Sequence, residues 1–211
     1  MKWEDLLSTV RNEPVFDTGF LAAETENLAG LRLQISRWVK AGKLIMLKKG
    51  LYTLAHPYSK VTPHPFLIAN AVNKPSYVSL QSALGYYGII PEYVVSVTSV
   101  TVGRPGQVKT RLGNFVYQHI RKSWFHGFEQ VALDSGQKAF IAIPEKALLD
   151  LVYLTPKADD YDFLSELRLQ NLDQMKIDLL GRLANKSGSA KLCRAAKIIT
   201  ELIEQGTGKE L

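Results

Sequence analysis

The first sixty residues place apolar side chains at helical spacing in three consecutive segments. Positions 3, 6, 7 and 10 are apolar, which predicts a helix over residues 3–10. Asp17 or Thr18 is placed to cap a short second helix. Asn27 is placed to cap a third helix that runs to about Ala41. The pattern therefore predicts three short helices in succession.

The segment after the third helix, LIMLKKGLYTL (44–54), predicts a β hairpin. Leu44–Leu47 and Leu51–Leu54 are apolar runs, and the Lys48-Lys49-Gly50 sequence between them is typical of a turn. Three helices followed by a hairpin is the element order of a winged helix-turn-helix domain. We expect such a domain over residues 1–58, with the hairpin as its wing.

The third helix has two contrasting sides at about 100° per residue. One side is apolar and is expected to face the core, with Leu28, Leu31, Ile35, Trp38 and Val39. The opposite side carries small, basic and polar residues, with Ala29, Gly30, Leu33, Ser36, Arg37 and Lys40.

This second side is suited to the major groove of DNA, because basic side chains reach phosphates or guanine edges and Leu33 reaches a thymine methyl group. The residues expected to bind DNA are Arg32, Leu33, Ser36, Arg37, Lys40, Lys43, Lys48 and Lys49. A surface helix without a partner explains the apolar side equally well, but it leaves Leu33 and the basic turn unexplained. A winged helix that binds protein is the other alternative.

The charge distribution favours a polyanionic partner. The net charge is +6, and residues 27–122 contain thirteen lysines and arginines but a single acidic residue, Glu92. Such a span is often only a solvated surface, yet one this long makes a side of the fold attractive to nucleic acid. A possible extension of the DNA-binding face comprises Lys74, Arg104, Lys109, Arg111, Arg121 and Lys122. The alternative is that these six cations are scattered solubility charges.

The remaining sequence predicts a mixed α/β domain over residues 66–211, joined to the first domain by the connector HPYSKVTPHP. Ser79 is placed to cap a helix from Leu80 to Tyr87, and Pro144 opens another that runs through Leu154. Strand-like runs and two turns lie between these helices, and further helices fill 160–204. The runs are 93–102, 112–120, 125–133 and 138–143, with turns at 103–107 and 133–138. The fold class is therefore α+β with a helical C-terminal tail.

Several segments of this chain resemble the AbiEi antitoxin family, in the family's order and approximate spacing. They are RWVKAGKLIMLKKGLYTL (37–54), PSYVSLQSALGYYGIIPE (75–92), VTSVTVGRPG (97–106), Tyr117, His119, Ile120, Phe125, Gly127 and AIPEKALLDLVYL (142–154). The resemblance implies a transcriptional autorepressor that binds an operator of inverted repeats and is the antitoxin of a type IV toxin–antitoxin, or abortive infection, system. The toxin it implies is an AbiEii-like nucleotidyltransferase, which such antitoxins counteract without a stable complex. The tail after Leu154 carries no part of the resemblance.

The residue types that carry catalysis are not arranged for it, so we expect a regulator with no catalytic site, cofactor or metal. The histidines His56, His64, His119 and His126 lack metal-ligand spacing, and GRPGQVKT (103–110) lacks the Gly-Lys pair of a phosphate-binding loop. Glu145 and Lys146 are adjacent rather than spaced as in a nuclease, although a DNA-processing nuclease remains a further alternative. A single cysteine, Cys193, allows no internal disulfide, and no apolar run has membrane-spanning length. We therefore expect a cytoplasmic protein.

Overall fold

A computed structural model describes residues 1–22, 27–91 and 95–207 of the chain, with side chains described to residue 204. Glu92, and Tyr93 at the start of a predicted strand, lie outside these residues. The elements in chain order are α1 (Trp3–Val10), β1 (Phe16–Asp17), α2 (Thr18–Ala22), α3 (Leu28–Lys40), β2 (Leu44–Lys48), β3 (Leu51–Leu54), α4 (Pro65–Val72), β4 (Ser76–Val78), α5 (Leu80–Tyr86), β5 (Ser96–Thr101), β6 (Gly106–Thr110), β7 (Gly113–His119), β8 (Phe128–Ala132), β9 (Lys138–Ala142), α6 (Pro144–Leu154), α7 (Tyr161–Glu166), α8 (Ile177–Lys186) and α9 (Ala190–Thr207).

The N-terminal part consists of α1, α2 and α3 with a small antiparallel sheet in the order β1-β3-β2. Local capping explains where its helices begin. The Asp17 carboxylate accepts a hydrogen bond from the Phe20 amide at 2.8 Å, and the Asn27 side chain accepts one from the Gly30 amide at 2.8 Å. The predicted order of three helices and a hairpin is present. The short strand β1, which pairs with β3, was not predicted.

The larger part contains a six-stranded sheet in the order β6-β7-β5-β4-β9-β8, with helices on both faces. Strand pairing aligns Tyr77 with Val100 and Tyr117 with Ser99, so the two tyrosines leave the sheet on opposite faces. The Tyr117 hydroxyl donates to the carbonyl of Ala69 in α4, whereas the Tyr77 hydroxyl donates to Asp150 in α6. Helices α4 and α6 therefore cover opposite faces of the sheet.

The C-terminal helices extend the layer that α6 begins. Helices α8 and α9 pack against each other and both contact α6, through buried side chains such as Leu180, Leu192 and Ile199. Helix α7 begins at a cap in which Asp160 accepts from the Phe163 amide at 2.8 Å. The chain thus has an α+β fold with a helical C-terminal region, as predicted.

The hairpin β2–β3 belongs to two hydrophobic cores. Leu44 and Leu54 pack in the N-terminal core, which also contains Leu31. Leu47 and Leu51 are buried with the larger core instead. The boundary between the two parts therefore runs through the hairpin, ahead of the proline-containing connector.

Two details of the predicted pattern were wrong. Gly106 and Gln107, assigned to a turn, begin the edge strand β6, which is polar because much of it faces solvent. Ser79 occupies the position before α5, but its hydroxyl does not cap the helix. It donates to Asp150 at 2.8 Å instead, because that carboxylate is buried directly against it.

Candidate nucleic-acid interface

Helix α3 presents its apolar side to the N-terminal core. Leu31, Ile35 and Trp38 are buried and Val39 is half-buried, as the spacing predicted. Leu28 is a correction, because 46% of its surface is exposed. Its angular position matches that of the buried residues, but it lies in the first turn of the helix, where the core does not extend. The helix is therefore anchored along its middle and C-terminal turns.

The outward side of α3 carries exposed cations around an exposed leucine. Arg32, Arg37 and Lys40 are exposed, Ser36 lies between them, and 54% of the Leu33 surface is accessible. Among the described residues, none of the three cations has a carboxylate within salt-bridge distance. No acidic residue occurs between Asn27 and Pro91, so residues 27–91 contribute only positive charge to this side.

Lys43 is placed differently from the helix cations. Its ammonium lies 4.7 Å from the centre of the Trp3 ring and 5.9 Å from that of Tyr58. Trp3 in turn packs against Trp38, with ring centres 5.3 Å apart. A cation over aromatic faces is held in place by the ring quadrupoles. Lys43 therefore connects α1 to the start of the hairpin.

The two lysines of the hairpin turn have different surroundings. The Lys48 ammonium donates to the carbonyl of Val72, at the end of α4, at 2.9 Å. Lys49 is exposed, and the adjacent Gly50 holds the turn through a positive φ of 86° and a hydrogen bond from the Thr18 amide. Within the described part of the chain, the Lys48 ammonium has a hydrogen-bond partner and the Lys49 ammonium has none.

The six cations of the predicted extension do not lie together on one surface. Arg104, Lys109 and Arg111 are exposed on or beside β6, the edge strand that contacts β2 of the hairpin. The Arg121 guanidinium instead donates to the Ser187 carbonyl, between α8 and α9. The β6 cations therefore continue the surface of the hairpin, whereas the Arg121 side chain is committed elsewhere.

The last two cations of that set, Lys74 and Lys122, are also exposed. Lys74 follows α4, two residues beyond the Val72 carbonyl that binds Lys48. Lys122 begins a short 3-10 turn that ends at the buried Trp124. Lys74 therefore lies next to the hairpin contact, and Lys122 lies next to Arg121.

The sequence patterns did not reveal a buried polar cluster around α6. Asp150 accepts hydrogen bonds from the Tyr77 hydroxyl at 3.0 Å, from Ser79 at 2.8 Å and from the Trp124 indole at 2.7 Å, and it pairs with the Lys146 ammonium. Both members of the ion pair are fully buried. The only sequence signal was a Lys and an Asp four residues apart in an otherwise apolar helix.

The residues of this cluster are buried in the packed interior. Burial lowers the pKa of the Lys146 ammonium against the opposing effect of Asp150, and burial raises the pKa of the Tyr77 hydroxyl. The neighbouring Glu145 is also buried and accepts from the Lys176 amide at 2.6 Å. Neither Glu145 nor Lys146 is accessible to a nucleic acid.

The histidines are dispersed through the structure. His64 accepts from the Phe66 amide at 3.1 Å and caps α4, and His119 contacts the Gly103 carbonyl at 2.9 Å. Within residues 1–22, 27–91 and 95–207, no three His, Cys, Asp or Glu side chains are grouped to bind a metal. No helix in the same ranges is long and apolar enough to cross a membrane.

Comparison with known proteins adds information on the fold. No protein-family model and no curated protein matches the sequence. Among solved structures, the RV2827C protein of Mycobacterium tuberculosis superposes with a TM-score of 0.55 over 93% of this chain and 75% of that chain, at 16% sequence identity. This similarity shows that the two chains share an overall fold.

Proposed function

We propose that this protein is a sequence-specific regulator that binds double-stranded DNA through the outward side of α3. The observation that carries the proposal is the set of exposed cations on that side, which have no carboxylate partner among the described residues, opposite a buried apolar side. Arg37 and Lys40 face the groove in this arrangement, and Leu33 supplies an apolar contact for a thymine methyl group. Lys49, with the cations along β6, contacts the phosphate backbone.

The first experiment measures duplex binding by the full chain. Fluorescence anisotropy with the DNA fragment upstream of its own gene compares the wild type with Arg37→Ala and Lys40→Ala. Each substitution should weaken binding by about 1–3 kcal/mol if the lost contact is to a base. The matched controls are Arg182→Ala and Lys197→Ala, each of which removes one exposed charge from α8 or α9. Equal losses in the controls would show that total charge, and not α3, determines binding.

The second experiment uses the two turn lysines as an internal comparison. Lys49→Ala should weaken specific and random duplexes alike and reduce the salt slope by about one. Lys48→Ala should change the slope much less, because the Lys48 ammonium is engaged by the Val72 carbonyl. A larger effect of Lys48→Ala would mean that this lysine leaves its carbonyl and binds DNA. These measurements also separate DNA binding from the adaptor alternative, in which random duplex DNA does not bind in a salt-dependent way.

The resemblance to the AbiEi family extends this proposal to an antitoxin and autorepressor acting against a nucleotidyltransferase toxin. Growth of cells expressing a neighbouring toxin gene is the direct test. We place the antitoxin surface in the α+β domain, residues 66–211, and not on α3. The full chain should therefore restore growth, and so should the Arg37→Ala/Lys40→Ala variant. Failure of the wild type to restore growth would refute the antitoxin role and leave DNA binding unaffected.

A further inference from the structure

A cavity of about 550 Å³ lies beside the hairpin contact, between α4 and the strands β8 and β9. This volume falls within the range of small-molecule sites, about 300–1,000 Å³. Val15, which precedes β1, contributes to its lining together with Leu67 and Ala71 of α4. The cavity is therefore bounded by both the N-terminal part and the larger part of the chain.

An aromatic wall forms one side of the cavity. The ring centres of Phe125 and Phe128 are 5.2 Å apart, those of Phe128 and Phe140 are 5.9 Å apart, and 42% of Phe140 is exposed. Tyr77 stacks behind Phe128 at 4.4 Å. Asn70 fixes the Phe140 backbone, because its side-chain oxygen accepts from the Phe140 amide at 2.6 Å. The wall is thus held in place without a ligand, which lowers the entropic cost of binding one.

The polar lining of the cavity is cationic. Lys74 and Lys138 border it, both are exposed, and neither has a carboxylate partner among the described residues. Ser76 also lines the cavity, and its buried hydroxyl has no hydrogen-bond partner within the described part of the chain. A buried hydroxyl without a partner is unfavourable by about 1–3 kcal/mol. A ligand with an acceptor would remove this penalty. None of the described residues that line the cavity has an acidic side chain that would repel an anion.

We propose that this cavity binds a small aromatic carboxylate, whose ring lies against Phe125, Phe128 and Phe140 and whose anionic group lies between Lys74 and Lys138. The Ser76 hydroxyl donates to the bound anion. The ligand ring covers the exposed face of Phe140, and the ligand carboxylate pairs with the ammonium groups of Lys74 and Lys138. Apolar enclosure with a few convergent polar groups is the usual composition of such sites.

A carboxylate bound in this cavity would also influence the hairpin β2–β3. This part of the inference rests on the proposed DNA-binding function. Ala71 lines the cavity, and the next residue, Val72, holds Lys48 through its carbonyl. A ligand that repositions the end of α4 therefore changes the position of the hairpin relative to α3. Any such coupling is reciprocal, so DNA would change ligand affinity by the same factor.

The test of binding uses 1-naphthoate and its uncharged analogue 1-naphthamide with the full chain, by isothermal titration calorimetry. Naphthoate should bind with a Kd below about 1 mM, and naphthamide at least about tenfold more weakly. Lys74→Ala/Lys138→Ala should weaken naphthoate about tenfold, and the charge-matched Arg182→Ala/Lys197→Ala variant should not. The proposed site is refuted if naphthoate does not bind at 1 mM, or if it binds the wild type and all variants with equal affinity.

Ser76→Ala separates a ligand-binding role from a structural one. Because the Ser76 hydroxyl has no partner among residues 1–22, 27–91 and 95–207, its removal should leave the unfolding midpoint of the free chain unchanged or raise it. The same substitution should weaken naphthoate several-fold. Unchanged naphthoate affinity would refute the role assigned to Ser76, as would a lowered midpoint.

Coupling is measured separately, as the duplex Kd with and without saturating naphthoate. A change in the wild type that disappears in Lys48→Ala supports the route through Val72. An unchanged duplex Kd overturns the coupling and leaves the binding site standing. Since naphthoate binding is measured without DNA, a failure of the proposed function is distinguishable from a failure of the site.

Discussion

Replacing Lys146 with methionine tests whether the buried cluster around α6 behaves as a charge-balanced unit. The substitution removes the ammonium and keeps most of the side-chain volume, so the Asp150 carboxylate stays buried with its hydrogen bonds from Tyr77, Ser79 and Trp124. Removing one partner of a buried ion pair costs about 3–5 kcal/mol. The three remaining donors partly solvate the carboxylate, so we expect the lower end of this range, about 3 kcal/mol.

A second substitution, at Asp150, tests whether the stability lost in Lys146→Met comes from the unbalanced carboxylate charge. Asp150→Asn in the Lys146→Met background removes the unbalanced charge. Tyr77 and Ser79 share one carboxylate oxygen, which the amide oxygen replaces, whereas the amide nitrogen replaces the oxygen that accepts from the Trp124 indole. Because removing a buried unbalanced charge outweighs the loss of one hydrogen bond, the double variant should be more stable than Lys146→Met alone by about 1–2 kcal/mol. Tyr77→Phe, which deletes one hydrogen bond to a charged acceptor, should cost about 1.5–3 kcal/mol.

Urea unfolding of the full chain, followed by far-UV circular dichroism, supplies the free energies. Tryptophan fluorescence is a second probe, because Trp124 donates directly to Asp150. Coincident transitions by the two probes are the control for two-state unfolding. A Lys146→Met variant within 1 kcal/mol of the wild type, or a double variant that is less stable than Lys146→Met, would refute the charge-balance reasoning.

Two further substitutions test local features of the fold. Burial lowers the pKa of the His64 imidazole below its value of 6.5 in an unfolded chain, so the unfolded state binds more protons and stability should fall as the pH decreases through 6.5. His64→Asn keeps an acceptor for the Phe66 amide without titrating, and thermal unfolding between pH 7 and 5 should show a smaller loss; an unchanged loss would exclude His64 as its source. Gly127→Ala places a Cβ 3.0 Å from the Lys146 side chain at a φ of +76°, and should cost more in chemical denaturation than Gly136→Ala, where φ is +73° and no atom lies within 4 Å. Equal costs would mean that backbone conformation alone, about 1–2 kcal/mol, sets the effect.

Local signals in the sequence predicted the elements whose determinants are close together in the chain. The caps at Asp17 and Asn27 marked helix starts, and Lys49-Gly50 marked the hairpin turn. Edge strand β6 was missed because its exposed polar residues carry no alternating apolar pattern. Leu28 was misplaced because periodicity gives an angle around the helix axis and no information about where the core ends along it.

The candidate interface was predictable in part for the same reason. Exposure of Arg37 and Lys40 follows from the period of α3, but the engagement of Lys48 does not. Its acceptor is a backbone carbonyl 24 residues away, and backbone carbonyls have no signature in sequence. The partners of Asp150 are likewise up to 73 residues distant, so a charged pair inside an apolar helix looks the same in sequence whether it faces solvent or the core.

The hairpin shared between two cores limits where this chain can be cut or recombined. A crossover in the connector near residues 59–63 would transfer Leu47 and Leu51 with the N-terminal part and separate them from the side chains that bury them. The resulting hybrid would expose two leucines and leave a matching void beneath α4. A chimeric protein that exchanges the proposed DNA specificity should therefore be built by substituting the outward residues of α3 within the intact chain. The same constraint means that a hybrid chain should take the hairpin and α4 from one parent.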